Sequence, residues 1–317
     1  MSVGDVHTLY ACNIAPTTVA DAIFIDQVAN QSIDPGIQEI LSSGDGQVDP
    51  THVATMQQAP RISFSTSKLA TLLAEATSAF LLNGLKIDSD VTYDGAEFWF
   101  QKIAEGGTRT AGANHIKMTV NEGLLLPRAI TAAQGGIASI GLDTIITYDG
   151  TNNPIVIATG QALEGAPSIS ELFTLGPVSL NGTTINGVQS VSIDPGLVEI
   201  VQFGDGQVWP TFVGIMQRQP LITLTTLDVA AFNTFGLSGT AQSATDSVVY
   251  LRKIAEGGTR VADDTAEHIK FSIDDGKIIP RAIAGANGAP QMMQLELRPT
   301  WDGTNAIIVI DTASAIA

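Results

Sequence analysis

The pentapeptide SIDPG occupies residues 32 to 36 and returns at 192 to 196, and GDGQV at 44 to 48 returns at 204 to 208. Met56, Gln57 and Pro60 reappear as Met216, Gln217 and Pro220, so the offset holds at 160. KIAEGGTR at 102 to 109 recurs at 253 to 260, an offset of 151, and the second copy therefore lacks nine residues of the intervening segment. At offset 153, His115-Ile116-Lys117 matches His268-Ile269-Lys270 and Pro127-Arg128-Ala129-Ile130 matches Pro280-Arg281-Ala282-Ile283. DGTN at 149 to 152 and 302 to 305 closes the series in the same order.

Solenoid units run about 20 to 50 residues, so a repeat of about half this chain predicts two complete domains, each with its own core. The boundaries are residues 1 to 160 for the first, 178 to 317 for the second, and a linker at 161 to 177, a stretch with Gly and Pro and no internal match.

Within each copy the apolar period is mostly two. His115 to Val120 alternates polar and apolar, and His268 to Ile273 keeps the alternation while changing the apolar residues, as a strand with one buried face does. Asn121-Glu122-Gly123 and Asp274-Asp275-Gly276 then predict hairpin turns into returning strands at Leu124 to Ile130 and Lys277 to Ile283. The DGTN segments predict the same between Thr144 to Tyr148 and Pro154 to Ala158, and between Leu295 to Trp301 and Ala306 to Ile310, with Pro154 and Pro299 at edges or strand ends. Lys68 to Leu82, rich in Leu and Ala without Gly or Pro, predicts an amphipathic helix with Ser67 as N-cap. The second copy has a shorter version, Leu227 to Phe235, stopped by Gly236. The expected fold is mainly β: two tandem homologous β-sandwich or barrel domains, each with about one α-helix.

Charge narrows the function. Fifteen Lys and Arg face 32 Asp and Glu, a net charge of -17, which opposes nucleic-acid grip by counterion release but suits an acidic wall that DNA slides past. Charged residues are only 15% of the chain, below the roughly 25% usual in soluble domains, and such a surface suits being covered by neighbours. A single cysteine, Cys12, leaves no disulfide framework, and four scattered histidines make no zinc cluster, so no metal or cofactor is expected. No segment approaches 18 consecutive apolar residues, and the N-terminus has no basic region followed by an apolar stretch, so no membrane insertion is expected.

Local motifs favour shape over chemistry. GDGQV lacks the alternating carboxylates and closing Glu of a calcium loop, since Trp209 stands where the first copy has Asp49, and reads as a tight Gly turn. EGGTR lacks the Gly-Lys-Ser/Thr of a phosphate loop and reads as a turn whose Glu and Arg pair across the tip or reach a neighbouring subunit. His115 and His268 read as surface or interface histidines, and Asp34 and Asp194 as openers of Pro-containing turns. Trp99, between Phe98 and Phe100, reads as core or subunit contact. What both copies retain is turn and strand-edge material, and no catalytic set emerges.

The order SIDPG, GDGQV, a strand at Arg61 to Thr66 or Leu221 to Thr226 leading into a helix, then KIAEGGTR, HIK, PRAI and YDGTN or WDGTN resembles the tail tube (major tail) proteins of long-tailed bacteriophages. The resemblance covers about 130 residues of each copy. It implies side-by-side association of β domains into rings with a continuous inner barrel, three two-domain chains completing a pseudo-sixfold ring, and rings stacked into a tube that conducts DNA without specific binding. It also implies synthesis in the host cytoplasm, residence in the virion tail, and contact with tape-measure, tail terminator and baseplate proteins. Candidate subunit contacts are the shared loop residues Asp45, Glu105, Arg109, Asp205, Glu256 and Arg260. Segments 67 to 101 and 227 to 252, which differ most between copies, are expected at stacking or outer-surface contacts. The alternatives are a capsid decoration or baseplate hub protein and a glycan-active enzyme with a deep acidic cleft.

Overall fold

A computed structural model describes residues 6–14, 23–44, 46–74, 80–88, 95–167, 169, 171–204, 206–235, 242–288 and 290–316. The first half of the chain carries β1 (Val6–Ile14), β2 (Ile23–Ile25), β3 (Val28–Asp34), β4 (Ile37–Ser42), β5 (His52–Gln58), β6 (Arg61–Thr66), α1 (Leu69–Ala74) and α2 (Phe80–Asn83). It continues with β7 (Leu85–Ile87), β8 (Ala96–Ile103), β9 (His115–Val120), β10 (Glu122–Ala133), β11 (Ser139–Thr147) and β12 (Ile155–Gln161). The second half carries β13 (Leu172–Leu180), β14 (Thr183–Ile185), β15 (Val188–Asp194), β16 (Leu197–Gln202), β17 (Phe212–Arg218), β18 (Leu221–Thr226) and α3 (Ala231–Phe235). It ends with β19 (Gln242–Ser243), β20 (Ser247–Ile254), β21 (His268–Ile273), β22 (Gly276–Ala284), β23 (Met292–Pro299) and β24 (Val309–Ser314).

The fold is mainly β, with antiparallel sheets throughout. One outer sheet has the order β12-β9-β8-β1-β2 and the other β14-β13-β20-β21-β24. A ten-stranded sheet, β19-β22-β23-β18-β15-β10-β11-β6-β3 with β7 added beside β10, takes strands from both halves. β4 pairs with β5, and β16 with β17, as two separate hairpins.

Alternation explains which face is covered. In β6, Ile62, Phe64 and Thr66 are buried, and in β18 Ile222, Leu224 and Thr226 are, while the residues between them face outward. The buried faces meet the outer sheets: Phe64 packs edge-on against Phe98 of β8, ring centroids 5.6 Å apart. One apolar cluster runs from Ile14 and Phe98 in the first half to Phe271 and Ile310 in the second, so the two expected cores are continuous. The residues expected as linker are strand at both ends, since β12 runs to Gln161 and β13 begins at Leu172.

The expected turns after β9 and β21 are not hairpins. β9 pairs with β8 and β12 in an outer sheet, whereas β10 pairs with β11, β15 and β7, so the chain crosses from one sheet to the other at Asn121. β21 and β22 are divided in the same way. The DGTN segments are likewise corners between sheets, because β12 pairs with β9 and β24 with β21. In each corner the aspartate holds the bend: Asp149 accepts from the Thr151 and Asn152 amides at 2.7 Å, and Asp302 from the Thr304 and Asn305 amides at 2.7 Å. Burial pushes the Asp149 carboxyl up, but these bonds outweigh it and hold it below the usual carboxylate range.

Helix covers Leu69–Ala74 and Phe80–Asn83 of the first expected segment, and Ala231–Phe235 of the second, which is shorter than expected. Residues 75 to 79 of the Lys68 to Leu82 segment, and Gly236, lie outside the described residues. Ser67 is not the side-chain cap: its hydroxyl bonds Gln27, while the Thr71 amide donates to Glu171 Oε2 at 3.1 Å from the other half of the chain. In the second half Asp228 caps α3, Oδ1 accepting from the Ala231 amide at 3.3 Å.

His115 and His268 are buried rather than on a surface. The Lys253 amide donates to His268 Nδ1 at 3.0 Å and Nε2–H donates to the Ala262 carbonyl at 2.9 Å; the Lys102 amide donates to His115 Nδ1 at 3.0 Å. Each imidazole thus satisfies backbone groups of the KIAEGGTR loop. His268→Ala would leave both partners unpaired in a cavity and should cost about 2 to 3 kcal/mol in urea unfolding. A loss under about 0.5 kcal/mol would show that the brace is idle.

Candidate assembly interface

The two halves meet along β10 and β15. Ile130 stands opposite Ile193, Thr131 opposite Ser192, Ala132 opposite Val191 and Ala133 opposite Ser190. Ile130 and Ile193 are each 1% exposed, so this pairing is part of the core and not a surface contact.

The repeated SIDPG turn then directs a hairpin away from the sheet. Asp194 Oδ1 accepts from the Gly196 amide at 2.8 Å, and Gly196 sits at φ 59° with the site of a Cβ only 2.0 Å from the Gln219 carbonyl oxygen, so glycine is required there. The first copy repeats the device: Asp34 Oδ1 bonds the Gly36 amide at 2.9 Å and Gly36 has φ 58°.

Beyond the turn, β16 and β17 lie over the first half of the chain. Leu197 packs with Leu124, Leu126 and Ile145, and Val201, Val213 and Ile215 close the edge of this second apolar cluster. At the tip the Tyr148 amide donates to the Pro210 carbonyl at 2.8 Å, and the Tyr148 and Trp209 rings lie 5.1 Å apart. The Gln58 amide donates to Val208 O at 2.8 Å, and Arg218 Nε donates to Leu82 O at 2.7 Å.

Four charges sit under the hairpin. Glu199 meets Arg61 at 2.9 Å and Arg128 at 3.2 Å, and Arg128 meets Asp143 at 2.7 Å. Burial pushes the Glu199 carboxyl up, but hydrogen bonds from Arg128 and Arg61 outweigh it and hold it below the usual range. A depressed native value means that the contribution of Glu199 is complete above its unfolded value of about 4.3 and fades as pH falls through the native one. Acid titration below pH ~4.3 should therefore loosen the hairpin, read as a change in Trp209 emission that Glu199→Gln removes; a signal identical in the variant would contradict the assignment.

The same elements at the two ends of the chain have no counterpart to meet. β3 is the last strand of the ten-stranded sheet and pairs with β6 alone. At the other end β19 covers only Lys277 and Ile278 of β22, leaving Pro280 to Ala284 open on that side among the described residues. Ile33 and Ile283, the sequence counterparts of Ile193 and Ile130, are 44% and 40% exposed. The β4–β5 hairpin exposes Ile37, Leu41, Val53 and Met56, whereas Leu197, the counterpart of Ile37, is buried.

None of the described residues expected as subunit contacts belongs to the β10–β15 pairing. Asp45 and Asp205 lie outside the described residues. Glu105, Arg109, Glu256 and Arg260 are exposed on the KIAEGGTR loops of the outer sheets, and Arg109 bonds Gln101; no ion pair joins Glu to Arg across either tip among the described residues. Arg260 alone approaches the junction, lining with Arg252, Gln134 and Gln189 a groove of about 370 Å³. Among the described residues no three His, Cys, Asp or Glu side chains form a metal-binding group, and no helix is long and apolar enough to cross a membrane. The residues of the junction escaped the sequence reading although Ile33, Ile193, Ile130 and Ile283 all stand inside repeated motifs. That coincidence of repeat and apolar strand end was the available signal.

No protein-family model and no curated protein matches the chain.

Proposed function

We propose that this chain is a structural protein that assembles head to tail into closed rings, stacked as the tube of a long-tailed phage. The observation that carries the reading is the pair of open edges. One junction, β10 with β15, is made within the chain, and its sequence counterparts β22 and β3 each keep an open edge at opposite ends of the sheet among the described residues, with apolar residues exposed. Two different surfaces that complement each other define a heterologous contact, which closes into a ring when the rotation permits. Pairing strand edges also covers the exposed template for indiscriminate aggregation.

Three chains would supply six copies, alternating one internal and one intermolecular junction, in keeping with the resemblance in element order. The open face of the ten-stranded sheet carries Ser63, Ser65, Thr131, Ser192, Thr223 and Thr225. Turned to a bore, these hydroxyls present no cation to a phosphate backbone. Tape-measure, terminator and baseplate proteins are the partners this role requires, with DNA passing through unbound. Negative-stain electron microscopy of the purified protein tests the reading: rings with a central hole and threefold or sixfold symmetry are expected. Discrete monomers at every concentration would overturn it.

A further inference from the structure

The second half of the chain repeats the hairpin-binding face of the first, but with one carboxylate missing. In the first half, Arg61 and Arg128 are balanced by Asp143 and by Glu199 from the overlying hairpin. In the second, Arg281 takes the place of Arg128 and Glu296 that of Asp143, bonded at 2.6 Å. The second arginine has crossed to the neighbouring strand. Arg61 stands opposite Ile145, whereas their counterparts are Leu221 and Arg298, each one residue beyond the Ile222–Leu297 pair, and Arg298 reaches Glu296 at 3.2 Å. Two guanidinium groups therefore share a single carboxylate, and no hairpin covers them among the described residues.

The missing charge exists elsewhere in the chain. Glu39 is the counterpart of Glu199, stands on the exposed β4–β5 hairpin and makes no ion pair with a described residue. An aromatic exchange accompanies it: Tyr148, which packs against Trp209, has Trp301, 67% exposed, as its counterpart, while Asp49 is the counterpart of Trp209.

We infer that the β4–β5 hairpin of one chain docks over the second-half face of the next chain, with Glu39 completing the Arg281, Arg298 and Glu296 cluster and the hairpin tip covering Trp301. The inference rests on the head-to-tail reading and adds to it a specific occupant, a second copy, and a specific charge. Its warrant is continuity with the internal interface, in which the same turn, hairpin position and carboxylate are already engaged. Exposed Ile37, Leu41 and Val53 would bury the apolar area that Leu197, Val201 and Val213 bury in the first half.

Two measurements on the full chain test it. Glu39→Lys should raise the concentration for half-assembly by roughly 10- to 100-fold, because it leaves two arginines and a lysine facing one carboxylate. Acrylamide quenching of Trp301, taken as the difference between the native protein and Trp301→Phe, should fall several-fold from dilute monomer to ring. Rings in which Trp301 stays as quenchable as in the monomer, or in which Glu39→Lys assembles like the native chain, would overturn the docking while leaving the ring reading intact. A chain that stays monomeric throughout would remove both.

Discussion

Ile283→Asp should leave the monomer as stable as the native chain and abolish its assembly, whereas Ile130→Asp, at the matching place in the first copy, should severely destabilise the chain. The two isoleucines end the same PRAI motif. Ile130 is 1% exposed between β15 and β11, so a carboxylate there must be desolvated or protonated without a partner, and a loss of more than about 4 kcal/mol is expected from a total of order 10. Ile283 is 40% exposed at the open side of β22, and the monomer hydrates a new carboxylate there. In the ring the same group would be buried opposite Ile33. Circular dichroism and sedimentation of the two variants separate the outcomes; an Ile283→Asp protein that still forms rings would remove the β22 edge from the interface.

Arg128→Met should destabilise the monomer by about 2 kcal/mol, while Arg281→Met should leave its thermal midpoint nearly unchanged. Removing Arg128 leaves Asp143 and Glu199 sharing Arg61 beneath the hairpin. The expected loss is below the ~3 to 5 kcal/mol of a fully buried pair because the Arg128 side chain keeps 34% exposure. Its own protonation state is not at issue: burial works against the charge, and Asp143 and Glu199 outweigh it. At the second site Arg298 still serves Glu296, and solvent screens what remains. Equal losses in urea unfolding would show that the second cluster is already engaged in the monomer.

Much of the fold was legible in the sequence, and the failures share one cause. Period-two alternation located β9, β10, β21 and β22 because each buries one face. It could not decide whether β9 and β10 form a hairpin or belong to opposed sheets, since Met118 and Leu125 reach the core in either arrangement. Sheet membership depends on pairing with β8, β11 and β15, which local pattern does not encode. His115 was read as polar surface for the same reason: only the position of the Lys102 amide makes a buried acceptor there favourable. The helix cap came from Glu171, a hundred residues from Thr71, beyond any local signal.

The candidate interface was legible in part. The repeat itself marked SIDPG and PRAI as retained material, and retained shape is what the junction reuses. Identical isoleucines in those motifs meet opposite fates, buried at 130 and 193 and open at 33 and 283, and that difference follows from whether a neighbouring strand lies alongside, which the motif itself does not encode. The KIAEGGTR loops, taken as contacts because both copies retain them, connect strands of the outer sheets.

The most direct measurement is oxidation of a double variant, Ile33→Cys with Ile283→Cys, followed by denaturing electrophoresis without reductant. Direct cross-strand partners have Cα atoms about 4.5 to 5.5 Å apart, within the range that a disulfide spans. Cys12 supplies little background, being fully buried with its thiol pushed up by desolvation. If the internal junction is repeated between chains, the product is a covalently closed ring of three chains that only reductant opens. Chains that remain single under the same oxidation would contradict the account.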